Sequence, residues 1–244
     1  MKRSVSIVAV IAMITMLTAC KLDKPDFTDP NAFKTANSTS GSGTNSGSGS
    51  VTGTGSQSNT YMPQTKGTFW KYASTGLLSD TTTNTMTGGT TTFNNKVYYN
   101  ETTVSQHYKT TSSNYLYSGN HIYSMKGTSF TGTVVAEFLY LNDTTSIGHS
   151  WTTSITDDGT LNGVPAQLTG TMMEKGISKT LYNKTFTNVI HTQLNLQYDM
   201  GLGAGFESYA LYDFYIAKGI GIIEIDSNVI GLTSTLVLYD YSIK

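Results

Sequence analysis

The sequence predicts an all-β protein whose folded part is a single antiparallel β domain, built as a sandwich or as a strongly curved sheet that forms a partial barrel. From residue 61 onward, apolar and aromatic residues recur in short runs between Gly, Asn and Asp, and no long segment repeats with the period of a helix. Thr, Ser, Asn, Gly and Tyr are abundant while only 13% of the residues are charged, which is typical of secreted β proteins. Roughly a dozen strands joined by short turns favour antiparallel pairing.

Each predicted strand is a run rich in Thr, Tyr, Val, Ile or Leu that ends at a turn signal. Gly88-Gly89 and Gly119-Asn120 predict hairpin turns, and Asp158-Gly159 predicts a further turn. Gly67 and Gly148 each precede a Trp by three residues, which predicts a tight turn that leads into a strand with the Trp in the core. In chain order, the predicted strands cover residues 69–75, 78–87, 90–95, 97–110, 115–118, 121–125, 134–141, 151–156, 166–173, 186–198, 208–216, 221–226 and 233–243.

Alternation along residues 186–198 separates a buried face of that strand from an exposed one. The apolar face carries Ile190, Leu194, Leu196 and Tyr198, and the polar face carries His191, Gln193, Asn195 and Gln197. The segment 205–217 fits two interpretations, because Tyr209, Tyr212 and Ile216 also lie on one face of a helix.

The first twenty residues resemble the signal peptide of a bacterial lipoprotein. Lys2 and Arg3 precede an apolar run, which ends in Leu-Thr-Ala-Cys at residues 17–20. The resemblance implies a signal peptide at residues 1–19, cleavage before Cys20 and lipid on that residue. A transmembrane helix is the alternative, but the run has about 14 apolar-biased residues and a span needs roughly 20. Lys21 follows the cysteine, which by resemblance to bacterial sorting rules implies the outer membrane and leaves the periplasmic or surface face open.

A long polar segment separates the lipidation site from the folded domain. Residues 35–60 contain Gly, Ser, Thr and Asn with a single large apolar residue, Val51. Such a composition is typical of a flexible linker, and the stretch from Cys20 to Tyr61 has an average reach of roughly 35 Å. We therefore predict a disordered tether at residues 20–60 and one β-rich domain at residues 61–244.

Composition also excludes several functions. Removal of Lys2 and Arg3 with the signal takes the formal net charge from −1 to −3 and leaves no Arg in the mature chain. Arg is the main residue that reads phosphates and guanine edges, so we expect no nucleic-acid partner. Cys20 is the only Cys, so the domain has no internal disulfide.

Motifs for metal, phosphate or nucleophilic chemistry do not stand out. The four His residues, at 107, 121, 149 and 191, have no short metal-binding spacing, and the glycine run at 201–205 lacks the spacing of a phosphate loop. Asp157-Asp158-Gly159 fits a hairpin turn better than a calcium loop. We expect no metal and no cofactor.

Two carboxylates are the candidates for acid–base chemistry on a sheet face. Glu137 and Glu224 sit within strands among apolar residues, and a glycosidase needs two carboxylates that face each other across a cleft. Their convergence depends on strand order, which the sequence does not give. The enzyme question stays open, with a non-catalytic role favoured.

Five segments taken in order carry a family resemblance. They read YMPQTKGTFWKY at 61–72, IGHSWT at 147–152, FTNVIH at 186–191, YIAKGIGIIE at 215–224 and TLVLYDYSI at 235–243. This order is similar to uncharacterised secreted lipoproteins of the Bacteroidetes, which carry Gly-x-x-Trp segments and an Ala-Lys-Gly-Ile-Gly turn. The resemblance spans most of residues 61–244 and implies an all-β secreted domain, with no known activity.

Three functions fit these observations. The first is a non-catalytic lipoprotein of the outer membrane that binds a partner or supports an envelope assembly. The second is a periplasmic carrier, whose curved sheet encloses a hydrophobic ligand in a cavity of several hundred Å³. The third is a surface protein that binds or cleaves glycans on exposed aromatic side chains, for which the candidates are Tyr98, Tyr99, Tyr115, Tyr117 and Tyr123. The expected partners are the membrane through the N-terminal lipid and a glycan, a lipid or an envelope protein.

Overall fold

The computed structural model of the chain describes residues 50–76, 79–128 and 135–244. The predicted signal peptide, Cys20 and the linker up to residue 49 lie outside these ranges, as do the first residues of the strands predicted at 78–87 and 134–141. The described residues form β strands joined by turns and contain no helix, which confirms the predicted fold class.

The described ranges contain fourteen strands. They are β1 (Thr52–Thr54), β2 (Phe69–Gly76), β3 (Asp80–Phe93), β4 (Lys96–Ser105), β5 (Thr111–Gly119), β6 (Ile122–Thr128), β7 (Val135–Asn142), β8 (Ser150–Ser154), β9 (Thr160–Leu161), β10 (Val164–Leu181), β11 (Lys184–Asp199), β12 (Phe206–Ala217), β13 (Gly221–Val229) and β14 (Leu232–Ser242).

Twelve of these strands follow one path through a single sheet. Their order is β7-β6-β5-β4-β3-β2-β14-β13-β12-β11-β10-β8, and each neighbouring pair is antiparallel. The strands β2 to β7 therefore extend the sheet in one direction and β14 back to β8 extend it in the other. The β2–β14 pair joins these two halves. A strand from the start of the domain and its last strand therefore lie side by side in the middle of the sheet.

The sheet curves until its two ends nearly meet, which gives a partial barrel rather than a sandwich. The Glu137 N–H donates to the Ile155 carbonyl at 2.7 Å, and the Thr192 hydroxyl donates to the Tyr140 carbonyl at 2.7 Å. Inside this closure the Tyr140 and Phe214 rings stack, with centroids 5.7 Å apart. Contacts between β7 and the opposite end of the sheet thus enclose one interior.

Alternation places the apolar side chains in this interior. In β11, Leu194 and Leu196 are fully buried, as the pattern of that strand predicts. The segment 205–217 is strand β12, paired on both sides, and its Phe214 and Ile216 are buried, so the helical interpretation was wrong. Each buried Leu, Ile or Phe stabilises the fold by roughly 1.5–3 kcal/mol, which makes this face the main source of stability.

Two of the predicted hairpin turns lie at other residues than the sequence predicts. Gly88-Gly89 is not a hairpin turn, because β3 continues through it with a shift of register between Met86 and Thr90. The turn lies instead at Asn94-Asn95, both with positive φ, which a two-residue hairpin turn requires. The hairpin at Gly119-Asn120 is confirmed with its turn one residue later, at Asn120-His121.

Residues 50–67 pack against the sheet, although residues 50–60 have the composition of the linker. Strand β1 pairs in parallel with the last strand, with Gly53 opposite Tyr241. Residues 55–66, which we call the strap, then cross one end of the barrel. The Gln57 N–H donates to the Gly219 carbonyl at 2.8 Å, and the Gly219 N–H donates to the Thr60 carbonyl at 2.7 Å. Backbone hydrogen bonds hold this segment to the barrel. Side-chain patterns do not reveal such bonds, and the segment has few apolar residues, so the sequence did not predict its packing.

Candidate functional site

The candidate site has two parts, one on each side of the strap. The first is a pocket of about 40 Å³ inside the barrel, which has room for about three water molecules. We call it the interior pocket. It is lined by Tyr61, Met62, Trp70, Tyr72, Asn84, Glu101, Asn114, Leu116, Met125, Tyr140, Gly221, Ile222, Ile225 and Leu236.

Register brings three polar side chains of the interior pocket together. Glu101 on β4 lies opposite Asn114 on β5, and Asn84 on β3 lies opposite Thr103, two residues from Glu101 on the same face. The Oε1 atom of Glu101 accepts hydrogen bonds from the Asn84 Nδ2 at 3.0 Å and the Asn114 Nδ2 at 2.8 Å. The Thr103 hydroxyl donates to the same oxygen at 3.4 Å.

The same cluster contains oxygens with no partner among the described residues. Asn84 Oδ1 and Asn114 Oδ1 are buried and accept no hydrogen bond. Burial raises the pKa of Glu101 to about 7, because the hydrogen bonds from Asn114, Thr103 and Asn84 only partly offset the loss of hydration. The pocket thus has spare acceptors, and its carboxyl group titrates near neutral pH.

The strap and the start of β13 form the mouth of the interior pocket. Tyr61 and Met62 of the strap line it. The indole N–H of Trp70 donates to the Ile220 carbonyl at 2.6 Å, which fixes this Trp beside the mouth. Tyr61 also meets the edge of Tyr123, with centroids 6.0 Å apart. Aromatic side chains therefore surround the route to the pocket.

The second part is an open groove of about 600 Å³ along the strap. Its lining is uncharged and consists of Ser56, Gln57, Ser58, Asn59, Thr60, Met62, Gln64, Ser118 and Tyr123. The Gln57 side chain holds the strap to the end of the chain by donating to the Lys244 carbonyl at 2.8 Å. Gln64 Nε2 is buried and has no partner among the described residues. The groove offers hydroxyl and amide groups for hydrogen bonds to a neutral ligand.

The five candidate tyrosines lie on both faces of the sheet. Tyr98, Tyr115 and Tyr117 share the outer face, while Tyr99 and Tyr123 face the interior, because neighbouring residues of a strand point to opposite sides. Tyr98 and Tyr123 are buried, and the other three are half-buried. Only Tyr123 lines one of the two parts of the site, and the ligand-binding role of all five stays a prediction.

A charged cluster fills the space around Tyr98 on the outer face. Glu137 accepts from the Lys96 Nζ at 2.6 Å, the Ser124 hydroxyl at 2.5 Å and the Tyr98 hydroxyl at 3.0 Å, and Lys126 Nζ lies 3.7 Å from its second oxygen. We call these five residues the outer cluster. The hydrogen bonds and the charge of Lys96 hold the pKa of Glu137 below its usual value, against the opposing effect of burial.

Glu224 belongs to a different cluster on the outer face. Lys179 Nζ lies 3.2 Å from Glu224 Oε2, and burial together with nearby Asp226 raises the Glu224 pKa to about 7. Beside it His191 bridges two carboxylates, with Nε2 2.8 Å from Asp213 and Nδ1 3.1 Å from Glu174. Glu137 and Glu224 share no partner among the described residues, so the structure does not bring these two carboxylates together.

The remaining candidates are placed simply. Asp158 accepts from the Thr156 hydroxyl and the Thr160 N–H, as a turn residue does, and these bonds lower its pKa. Cys20 lies outside the described residues.

Sequence reasoning did not single out Glu101, Asn84 or Asn114. Their signal is weak, since a polar residue in a Thr-rich strand looks exposed until its register shows that it faces inward.

No protein-family model and no curated protein matches this chain. Two solved structures are similar to it. One is a "putative lipoprotein" from Parabacteroides distasonis, with a TM-score of 0.48 and 11% identity over 74% of this chain and 97% of that one. The other is a "putative exported protein with YmcC-like fold" from Bacteroides fragilis, with a TM-score of 0.46 and 10% identity over the same shares. Both organisms belong to the Bacteroidetes.

Within residues 50–76, 79–128 and 135–244, no helix has the length and apolar character needed to cross a membrane. The same residues contain no group of three or more His, Cys, Asp or Glu side chains arranged to hold a metal ion.

Proposed function

We propose that this chain is a lipoprotein anchored in the outer membrane through Cys20, and that its β domain is a non-catalytic module that binds neutral glycans. The open groove along the strap is the observation that carries the proposal. It has about 600 Å³ of space and a lining of uncharged hydroxyl and amide side chains. Ligand pockets usually span about 300–1,000 Å³ and use a few placed polar groups for specificity.

The chemistry of the groove favours a sugar over the other predicted partners. A neutral glycan presents hydroxyl groups that donate and accept hydrogen bonds. The exposed amide of Asn59 can do both, and the amide oxygen of Gln57 can accept, while its Nε2 already donates to Thr65 and Lys244. Tyr123 and Met62, which are nearly buried, form the apolar base of the groove. An envelope protein remains the alternative occupant of the same surface.

The barrel interior argues against a carrier of a hydrophobic ligand. A carrier needs a cavity of several hundred Å³, on the order of the volume of a small ligand. The interior pocket has only about 40 Å³, so an acyl chain does not fit in this conformation.

The glycan proposal is tested by measuring the binding of the full-length protein, in detergent, to an array of neutral oligosaccharides. Calorimetry then measures the affinity. Asn59 is exposed in the groove and makes no side-chain hydrogen bond to a described residue, so Asn59→Ala leaves the fold intact. We expect it to weaken binding by about fivefold, which corresponds to one lost hydrogen bond. Gln106→Ala, on an exposed turn at the opposite end of β4, is the matched control and leaves the affinity unchanged.

The absence of binding to every neutral oligosaccharide, or an equal loss in both variants, contradicts the glycan proposal. The anchor is tested separately with Cys20→Ser, which removes the thiol that accepts the lipid. We expect this variant to leave the membrane fraction, and its retention there contradicts the lipoprotein assignment.

A further inference from the structure

The interior pocket contains acceptors that no described donor satisfies. Asn84, Glu101 and Asn114 are only 7%, 5% and 6% exposed, and Asn84 and Asn114 each contribute a buried oxygen with no hydrogen-bond partner among the described residues. A buried acceptor left unpaired costs about 1–3 kcal/mol. Two of them beside a buried carboxylate indicate a site built for a group that donates hydrogen bonds.

One shared contact holds the two amide groups beside the carboxylate. Asn84 Nδ2 and Asn114 Nδ2 both donate to Glu101 Oε1. The Lys residues of the described sheet that are paired with carboxylates, such as Lys96 and Lys126, lie on the outer face. Glu101 therefore has no cationic partner among the described residues.

The rest of the interior pocket sets the size and character of the ligand. Trp70, Tyr72 and Tyr140 add aromatic rings to its lining, and Leu116 and Met125 add aliphatic surface. A volume of about 40 Å³ admits a molecule of about two or three non-hydrogen atoms. Aromatic rings attract cations when water is excluded.

We propose that the interior pocket binds a small primary ammonium ion, of the size of methylammonium, through hydrogen bonds to Glu101, Asn84 and Asn114. A primary ammonium carries three N–H donors and one positive charge, which match the two amide oxygens and the carboxylate of this cluster. Water molecules, for which the pocket also has room, supply donors but no charge to pair with the carboxylate. Calcium takes six to eight oxygen ligands, more than this cluster offers. The site is distinct from the groove, so it stands whether or not the groove binds a glycan.

The ligand enters past the strap. Tyr61 and Met62 of the strap line the interior pocket together with the polar cluster. A longer alkyl group therefore meets the strap, which limits the site to short amines.

Calorimetry of the full-length protein in detergent at pH 8 tests the proposal, with methylammonium, tetramethylammonium and sodium chlorides at equal ionic strength. Tetramethylammonium has the charge but no N–H donor and is larger. We expect methylammonium to bind at least about tenfold more tightly than either control ion, a difference of about 1.4 kcal/mol. Equal affinities for the three ions, or no binding of methylammonium, overturn the proposal.

Variants locate the binding. Glu101→Gln keeps the shape of the side chain and removes its charge, and we expect it to weaken methylammonium binding at least about tenfold. Glu207→Gln removes an exposed carboxylate elsewhere on the sheet and leaves the affinity unchanged. Unchanged affinity in a folded Glu101→Gln protein also overturns the proposal.

Should Glu101→Gln fail to fold, the wild type at two pH values gives the same information. Protonation of Glu101, whose pKa burial raises to about 7, removes the charge that holds the ligand. Tyr72 and Tyr140 face Glu101 and stay neutral, because burial raises the pKa of both hydroxyls above their usual value. The affinity is expected to fall roughly tenfold or more from pH 8 to pH 5. An affinity that does not change with pH contradicts the assignment.

Discussion

Two carboxylates on opposite faces of the same half of the sheet have opposite surroundings. Glu101 faces the interior from β4, and Glu137 faces outward from β7. Both lie among aromatic side chains, yet Glu137 has Lys96 and Lys126 beside it, while the hydrogen-bond partners of Glu101 among the described residues are the neutral side chains of Asn84, Asn114 and Thr103.

The two carboxyl groups differ both in burial and in partners, because Glu101 is 5% exposed and bonds to neutral donors while the Glu137 side chain is 22% exposed and bonds to Lys96. Burial acts to raise the pKa of both groups, but donors led by Lys96 hold Glu137 below its usual value, while Glu101 rises to about 7. The outer cluster thus pairs its carboxylate with Lys side chains, and the interior cluster has no cationic partner within the part of the chain that the structure describes. This contrast is the main reason to assign a ligand to the interior pocket.

Breaking the outer cluster tests whether its charges depend on one another. In Glu137→Leu, the 5%-exposed Lys126 loses its nearer carboxylate and keeps only Asp157, 3.9 Å away. An uncompensated buried charge is costly, so we expect a loss of about 4 kcal/mol in the free energy of unfolding, measured with urea. Glu207→Gln, the exposed control, should change it by less than about 0.5 kcal/mol. A loss below about 1 kcal/mol in Glu137→Leu contradicts a mutually dependent cluster.

The raised pKa of Glu101 predicts that the free energy of unfolding falls as the pH rises. The folded pKa of Glu101 is about 7 and its usual value is 4.5, so the stability it contributes is present below pH 4.5 and is lost as the pH rises to 7. Wild type should therefore lose roughly 3 kcal/mol of unfolding free energy from this group between pH 4.5 and pH 8. The difference between wild type and Glu101→Gln isolates it, since Glu224, which also has a raised pKa, is present in both.

One result of this pH-dependent unfolding measurement would contradict a raised pKa of Glu101. If the stability difference between wild type and Glu101→Gln stays constant from pH 4.5 to pH 8, Glu101 has the same pKa in the folded and unfolded chains. The contrast with Glu137 would then be lost.

A smaller effect separates hydrogen bonding from ring packing in the outer cluster. Tyr98→Phe removes the hydroxyl that donates to Glu137 at 3.0 Å. We expect a loss of roughly 1.5 kcal/mol in thermal or urea unfolding, because the acceptor is charged. Tyr115→Phe is the matched control, since the Tyr115 ring packs against Phe93 while its hydroxyl bonds to no described residue. Equal losses in the two variants would show that the hydroxyl of Tyr98 contributes nothing specific.

The fold followed from the sequence where a pattern is local. The alternation of Leu194 and Leu196 with polar residues placed the core face of β11, and the absence of helical periodicity gave the fold class. The closure of the sheet and the position of the strap were not predictable, because they rest on backbone hydrogen bonds such as that from Gln57 to Gly219. The prediction of a hairpin turn at Gly88-Gly89 was wrong, because two adjacent glycines fit a β-bulge within a strand as well as a turn.

The candidate site was harder to predict because it depends on register between strands. Glu101 is one of many acidic residues, and only its position opposite Asn114 reveals that it faces the interior. Glu137 and Glu224 do lie on a sheet face, but their Lys partners come from other strands. Among the candidate tyrosines, alternation alone separates Tyr98 from Tyr99, and the covering of Tyr98 by Phe93 follows only from the bend of β3.

A carbon-13 NMR titration of the side-chain carboxyl groups tests the central contrast most directly. Spectra of wild type, Glu101→Gln and Glu137→Gln between pH 3 and pH 9 assign the two resonances by their disappearance. The structure predicts that Glu101 titrates at about 7 and that Glu137 titrates below its usual value of 4.5. A Glu101 resonance that titrates at 4.5 or below would contradict the account, because the interior carboxyl group would then be ionised without any cation.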